Sequence, residues 1–140
     1  MYLLDTNVVS ELRKVQAKRA HPNVMAWLNT TVPDTLYLSV IVIQEIEIGV
    51  RLAEYHKAPE SGVLRQWLDN YVVIAFAGRI LNVDMDVVRK SAALHVPLTR
   101  PGNDILIAAT ALVHGLTIVT RNIGDFVSTG VPVLNPWQNI

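Results

Sequence analysis

Cysteine is absent from the 140 residues. This excludes a disulfide framework and any thiolate metal site, and it is compatible with a reducing cytosol. No run approaches the 18 consecutive apolar residues of a membrane-spanning helix. No basic stretch leads into a long apolar one at the start, so neither a span nor a secretory leader is expected. An excess of charge is missing too. Twelve Lys and Arg residues face twelve Asp and Glu residues, for a formal net charge of zero, which argues against a broadly basic nucleic-acid-binding surface. It leaves room for a local patch assisted by metal ions. Arg13, Lys14, Lys18 and Arg19 do cluster, and read first as the solvated end of a helix. Repeats, low-complexity segments, a glycine-rich phosphate loop and a Ser-His-Asp arrangement are not legible. The four histidines show no metal-ligand spacing; His114, just before Gly115, suits a helix C-terminus.

What is present is a single domain's length of chain over 1–140, with 51% apolar residues, at the upper edge for a soluble domain and enough to build a core without staples. Short aliphatic runs predict strands at Tyr2–Asp5, Leu36–Val40, Ile80–Val83, Thr117–Thr120 and Val131–Leu134. Between them, helical spacing predicts helices from Asn7 to Val15, from Pro22 through Leu28, Ile41 to His56, Glu60 to Tyr71, Asp86 to His95 (with Asp84 as cap) and Asn103 to His114, then a short turn at Ile123–Phe126. The stretches "HKAPESG" and "VPLTRPG" read as loops. Strands alternating with helices imply an α/β, three-layer architecture: a central parallel sheet of four to five strands flanked by helices. In such sheets the reactive groups gather off the carboxyl ends of the strands.

Acidic residues fall where that rule directs attention. Asp5 closes the first strand and precedes a helix, so it can serve as a helix cap as well as a ligand. Glu45 lies in the aliphatic "VIVIQEIEIGV", where helical spacing places it with Ile41 and Ile48 and turns Glu47 towards solvent. A surface stripe is the bland alternative for Glu45. Asp104 stands in the first turn of the nearly all-apolar "GNDILIAATALVHG", where the helix dipole alone would favour it. The fourth piece is "TIVTRNIGDF", with Thr120, Arg121 and Asn122 at a strand end and Asp125 one turn on, which a plain turn also explains. Each signal is weak singly. Together they put three carboxylates and an amide at one rim of a parallel sheet, where mutual repulsion would raise their pKa values. A hard divalent cation with oxygen ligands, Mg²⁺ or Mn²⁺, would relieve it.

The ordered set "LLDTNVVSEL", "YLSVIVIQEIEIGV", "GNDILIAATALVHGLTIVTRNIGDF" and "VPVLNPW" spans nearly the whole chain. It resembles the PIN-domain ribonucleases, and among them the VapC/FitB toxins of bacterial toxin–antitoxin pairs. The resemblance implies a Mg²⁺- or Mn²⁺-dependent endoribonuclease that leaves a 5′-phosphate and a 3′-hydroxyl. Its metal-binding acids fall on Asp5, Glu45 and Asp104. The fourth acidic position falls on Asn122, a departure from the fully acidic form that puts a second metal in doubt, with Asp125 as a substitute. Thr6 and Asn7 match the polar pair after the first acid, and Thr120 matches the polar residue near the phosphate. Arg121 could contact the substrate backbone. The family also implies a homodimer, an antitoxin partner that pushes a basic side chain into the acidic site, and contact with DNA only through that antitoxin.

Three rival readings remain at this point. Asn122 keeps open an inert PIN-like domain that binds RNA or a protein without cutting. A phosphatase or phosphoacceptor with Asp5 as nucleophile would want an acid where Asn7 stands, and a lysine near "TIVTRN" that is missing. A purely structural α/β module with capped helices would bind no metal.

Overall fold

The computed structural model describes residues 1–97 and 100–138. Five strands form one wholly parallel sheet: β1 (Tyr2–Leu4), β2 (Leu36–Ser39), β3 (Ile80–Leu81), β4 (Thr117–Val119) and β5 (Val133–Leu134), in the order β3-β2-β1-β4-β5. Consecutive residues of a strand point to opposite faces. Leu3 and Leu4 are both fully buried, as are Ile118 and Val119, so the central strands are covered on both sides. That is the arrangement the aliphatic strand sequences predict.

The helices supply the two covers: α1 (Thr6–Gln16), α2 (Pro22–Asn29), α3 (Val40–Tyr55), α4 (Ser61–Trp67), α5 (Val73–Ala75), α6 (Met85–His95) and α7 (Gly102–His114). Ser39 ends β2 and caps α3 through its hydroxyl, and Asp84 caps α6 by accepting from the Val87 amide. Helix α7 buries Ile105, Ile107, Ala108, Ala109 and Ala111, small enough to lie close against the sheet. It stops at Gly115, whose φ of 68° is a left-handed value that glycine adopts without strain. Helix α2 is pinned to β1 by an edge-to-face pair of Tyr2 and Trp27, with ring centres 5.3 Å apart.

Three expectations need correction. The helix predicted over Glu60–Tyr71 is not uniform. Helix α4 ends at Trp67, and Leu68–Val72 forms a wider π turn before α5. The wider turn leaves Leu68, Val72 and Phe76 all buried. On α3, the buried stripe is Val42, Ile46 and Val50; Ile48 is half exposed, and Glu45 borders the stripe with Ile41 rather than sitting between two buried isoleucines. Glu47 is not turned freely to solvent either, because Arg51 and Arg65 hold it. Of "HKAPESG", residues 56–60 join α3 to α4, while Ser61 and Gly62 open α4. The loop predicted over 96–102 includes 98 and 99, which lie outside the described residues.

The strand order places a topological switch between β1 and β4: the chain leaves β1 towards β2 and leaves β4 towards β5. Crevices of this kind form at the carboxyl ends of the two strands. Asp5 and Thr120 follow directly on β1 and β4, so the fold delivers both to that crevice.

Candidate active site

Asp5 is 8% exposed and sits at the turn from β1 into α1. One carboxylate oxygen, Oδ1, accepts from the Thr6 amide at 2.8 Å and caps the helix. The other, Oδ2, accepts from the Thr120 hydroxyl at 2.8 Å and from the Asn7 side-chain amide at 3.4 Å. The capping reading and the site reading are therefore both true, one for each oxygen. The Asp5 amide in turn donates to the Val119 carbonyl, which stitches the ends of β1 and β4 together. Burial pushes the Asp5 carboxyl up; the bonds from Thr120 and Thr6 oppose this, and the charges of Glu45 and Asp125 add to it.

Thr120 is fully buried and its hydroxyl is saturated. It donates to Asp5 and accepts from the Asn122 amide at 3.0 Å and from Asn7 Nδ2 at 3.3 Å. Thr6 does similar work on the other side: its hydroxyl donates to Glu45 Oε1 at 2.7 Å, tying α1 to α3. Asn7 faces two ways, since its side-chain oxygen accepts from the Arg121 amide at 3.2 Å. The polar residues around the acids thus fix their orientation.

Asp104, in the first turn of α7, is half-buried. Its carboxyl is pushed up to about 6, first by burial and then by the charges of Asp125, Asp5 and Glu45, with Arg100 opposing. Asp125 ends the 3₁₀ turn Ile123–Asp125 and is half-buried. Its charge acts on both Asp5 and Asp104. Asn122 lies exposed at the same rim, and its carbonyl accepts from the Asp125 amide. All four sequence segments therefore reach one rim, and the fourth negative charge there comes from Asp125.

Among the described residues, none of Asp5, Glu45, Asp104 and Asp125 takes part in an ion pair. A buried carboxylate without a cation is costly, and the charges of neighbouring acids help push the Asp5 and Asp104 carboxyls up. The donor set is all oxygen, which suits a hard divalent ion. Among the described residues, no three of these acids are drawn into a ready-made metal cage. Mg²⁺ does not require one: it is held through one or two carboxylates, retained waters and the substrate's phosphate oxygens. The residues present fit such an ion.

Sequence reasoning missed several partners of the site. Nothing in the spacing reveals that Thr6 serves Glu45, 39 residues away. Nor does it reveal that Trp137 is half-buried and lies beneath Arg121, whose guanidinium carbon is 5.5 Å from the ring centre.

The PIN domain family model matches residues 2–130. The VapC ribonuclease Y4jK of Sinorhizobium fredii is 37% identical, over 99% of this chain and 99% of its own length. The toxin FitB of Neisseria gonorrhoeae is 38% identical, over 99% of this chain and all of its own. Among solved structures, one chain of FitAB bound to the IR36 DNA fragment superposes with a TM-score of 0.87 at 34% identity, covering 100% of this chain and 98% of that one.

Proposed function

The chain belongs to the PIN-domain family, and on that footing we propose that it is a metal-dependent endoribonuclease, the toxin of a toxin–antitoxin pair acting in the cytoplasm. The observation that carries this reading is Asp5: a buried carboxylate at the switch point of a parallel sheet, surrounded by three more acids and, among the described residues, given no cation by the protein. A ribonuclease relative and a toxin relative, each matching over almost the full chain, support it.

Asp5, Glu45 and Asp104, with Asp125 in preference to Asn122 in the fourth position, would hold Mg²⁺ or Mn²⁺. When bound, the ion supplies positive charge to the scissile phosphate and eases removal of a proton from the attacking water. The protein's own contribution is preorganisation. Thr120 and Asn7 hold Asp5 Oδ2 in place, and Thr6 holds Glu45, so the acids keep their directions while RNA enters. Arg121 offers a positive group to the RNA backbone. Water adds to phosphorus, the bond to the 3′ oxygen breaks, and a 5′-phosphate and a 3′-hydroxyl remain. An antitoxin would silence the site by inserting an arginine, whose planar fork pairs with the same carboxylates. It would also carry the complex to DNA, and the toxin itself would be a homodimer.

Asn122 favours a second reading, an inert domain that binds RNA or a protein without cutting. Asp125, acting on both Asp5 and Asp104, restores the missing charge and weighs against it. The test is digestion of total RNA by the purified protein with Mg²⁺ and with EDTA, followed by mapping of the cut ends. Cutting that needs the ion and leaves 5′-phosphates supports the proposal. RNA left intact with Mg²⁺ and with Mn²⁺ removes it.

A further inference from the structure

Arg121 is an arginine in an unexpected position. It follows Thr120 directly and precedes Asn122, at the rim where Asp5, Glu45, Asp104 and Asp125 gather, and it is exposed. A free guanidinium beside four carboxylates should fold onto them. Among the described residues it makes no ion pair. Its side chain instead lies over the indole of Trp137, where the ring face attracts the cation.

Both members of this pair are anchored to the acidic site. The Arg121 amide donates to Asn7, whose side-chain amide donates to Asp5. The Arg121 carbonyl accepts from the Asn135 side chain, and Asn135 Oδ1 accepts from the Trp137 amide. The Trp137 carbonyl accepts from Asn23 of α2 at 2.7 Å. Hydrogen bonds and the Arg121 backbone thus link the buried acid to the backbone of Trp137, whose ring lies beneath the arginine.

Resting on the ribonuclease reading, we propose that Trp137 holds Arg121 clear of the acids as a flat cationic platform, and that the RNA base beside the scissile phosphate stacks on it. Aromatic faces and guanidinium planes are the surfaces on which unpaired bases stack. A single positive group held beside an acidic centre also offsets repulsion of the incoming phosphates. The platform reads stacking strength, so the chain prefers a purine over a pyrimidine next to the cut. Trp137 is a positioning residue in this scheme, and Arg121 is the group that meets the substrate.

The test measures fluorescence anisotropy of the intact protein in EDTA with three labelled probes: a 12-nucleotide oligo(A), an oligo(U) of the same length and an abasic ribose-phosphate strand. The wild type should bind oligo(A) most tightly. Arg121→Ala and Trp137→Ala should weaken oligo(A) binding about tenfold. Arg121→Lys should lose the adenine preference yet bind the abasic strand as the wild type does. Arg121→Ala should also flatten the salt dependence, by about 0.7 in the log–log slope, the value for one phosphate contact on a single strand. Trp137→Phe, which keeps a ring, should stay close to wild type, and this separates stacking from any loss of fold. Arg121→Ala or Trp137→Ala binding oligo(A) within twofold of wild type overturns the platform. So does equal weakening on all three probes, or an effect confined to binding of a protein partner. Digestion of total RNA is scored separately: a protein that cuts no RNA defeats the parent reading, whereas one that cuts RNA without adenine preference defeats only the platform.

Discussion

Two groups of carboxylates meet the same helix, α3, and are treated in opposite ways. On the outer side of α3, Glu47 and Glu54 converge on Arg65 of α4, with Nη2 2.7 Å from Glu47 and 2.9 Å from Glu54. Asp69 and Arg51 complete the network. Hydrogen bonds from Arg65 pull the Glu47 and Glu54 carboxyls below their ordinary range, and Arg65 itself is held further towards its charged form. Two residues from Glu47, Glu45 faces the second group, where Asp5 and Asp104 are pushed up by burial and by one another's neighbours. One cluster satisfies itself. The other is left short of positive charge at the place where the fold puts reactive groups. That contrast, more than the count of acids, separates a functional site from an ion-pair network.

The sharpest way to break the comparison is to neutralise one acid from each group. Asp5→Asn removes the central charge and keeps the shape and the cap, so RNA cleavage should fall at least about a thousandfold, with an unchanged circular dichroism spectrum. Glu47→Gln, on the same helix as Glu45, should leave cleavage within about twofold. If the two variants lost activity alike, the distinction between the clusters would be wrong.

A second variant gives the open cluster what the closed one already has. Asn122 is exposed beside Asp125, and Asn122→Arg supplies a guanidinium fork to the acids. Cleavage should fall on the order of a hundredfold, while thermal stability without metal rises. The companion change Asp125→Asn should weaken Mn²⁺ binding about tenfold by calorimetry, whereas Asn122→Ala should barely alter it.

The parts that were legible in the sequence, and those that were not, follow a physical division. All five strands are legible as short aliphatic runs, and in β1 and β4 burial on both faces calls for apolar residues at successive positions. Gly115 marked the end of α7 because only its backbone takes φ of 68° freely. The sequence directs Asp5, Glu45, Asp104 and the Thr120–Asp125 segment to one rim because reactive groups in a parallel sheet gather off the carboxyl ends of its strands. What stayed hidden depends on side chains from distant segments choosing one another. Arg65 lies 18 residues from Glu47, and nothing at that distance distinguishes a partner from a bystander. Helical spacing alone therefore turns Glu47 towards solvent and shifts the buried stripe of α3 by a few positions. The π turn after Trp67 was likewise invisible, since its residues carry the same apolar spacing as an ordinary helix.

The clusters should also respond to pH with opposite signs. Asp104 has a folded pKa of about 6 against 3.8 when unfolded. Its contribution to the metal-free fold is full below 3.8 and is lost as pH rises through about 6. Asp104→Asn should therefore stabilise the protein in EDTA at pH 7, by on the order of 1 kcal/mol once solvent screening is allowed for. Added Mn²⁺ should narrow or reverse the difference, because the wild type gains binding energy that the variant lacks. Glu47 and Glu54 have lowered pKa values, so their contribution is present above about 4.5 and is lost as pH falls through the folded values. Melting curves from pH 4 to 8 in EDTA separate the two: Asp104→Asn removes a loss on the alkaline side, and Arg65→Met removes a loss on the acid side.

The smallest effect concerns Arg65 itself. The network is partly exposed, and ion pairs in such settings contribute little each. Here, however, one side chain bridges two helices and donates four hydrogen bonds from its guanidinium to two glutamates. Arg65→Met should lower the melting temperature by a few degrees near neutral pH, less at high salt, because screening already weakens what the substitution removes. Cleavage at temperatures well below melting should stay at the wild-type rate, since Glu45 is positioned from Thr6 and not from α4. A loss of activity without a loss of stability would mean that the closed cluster steers the open one through α3.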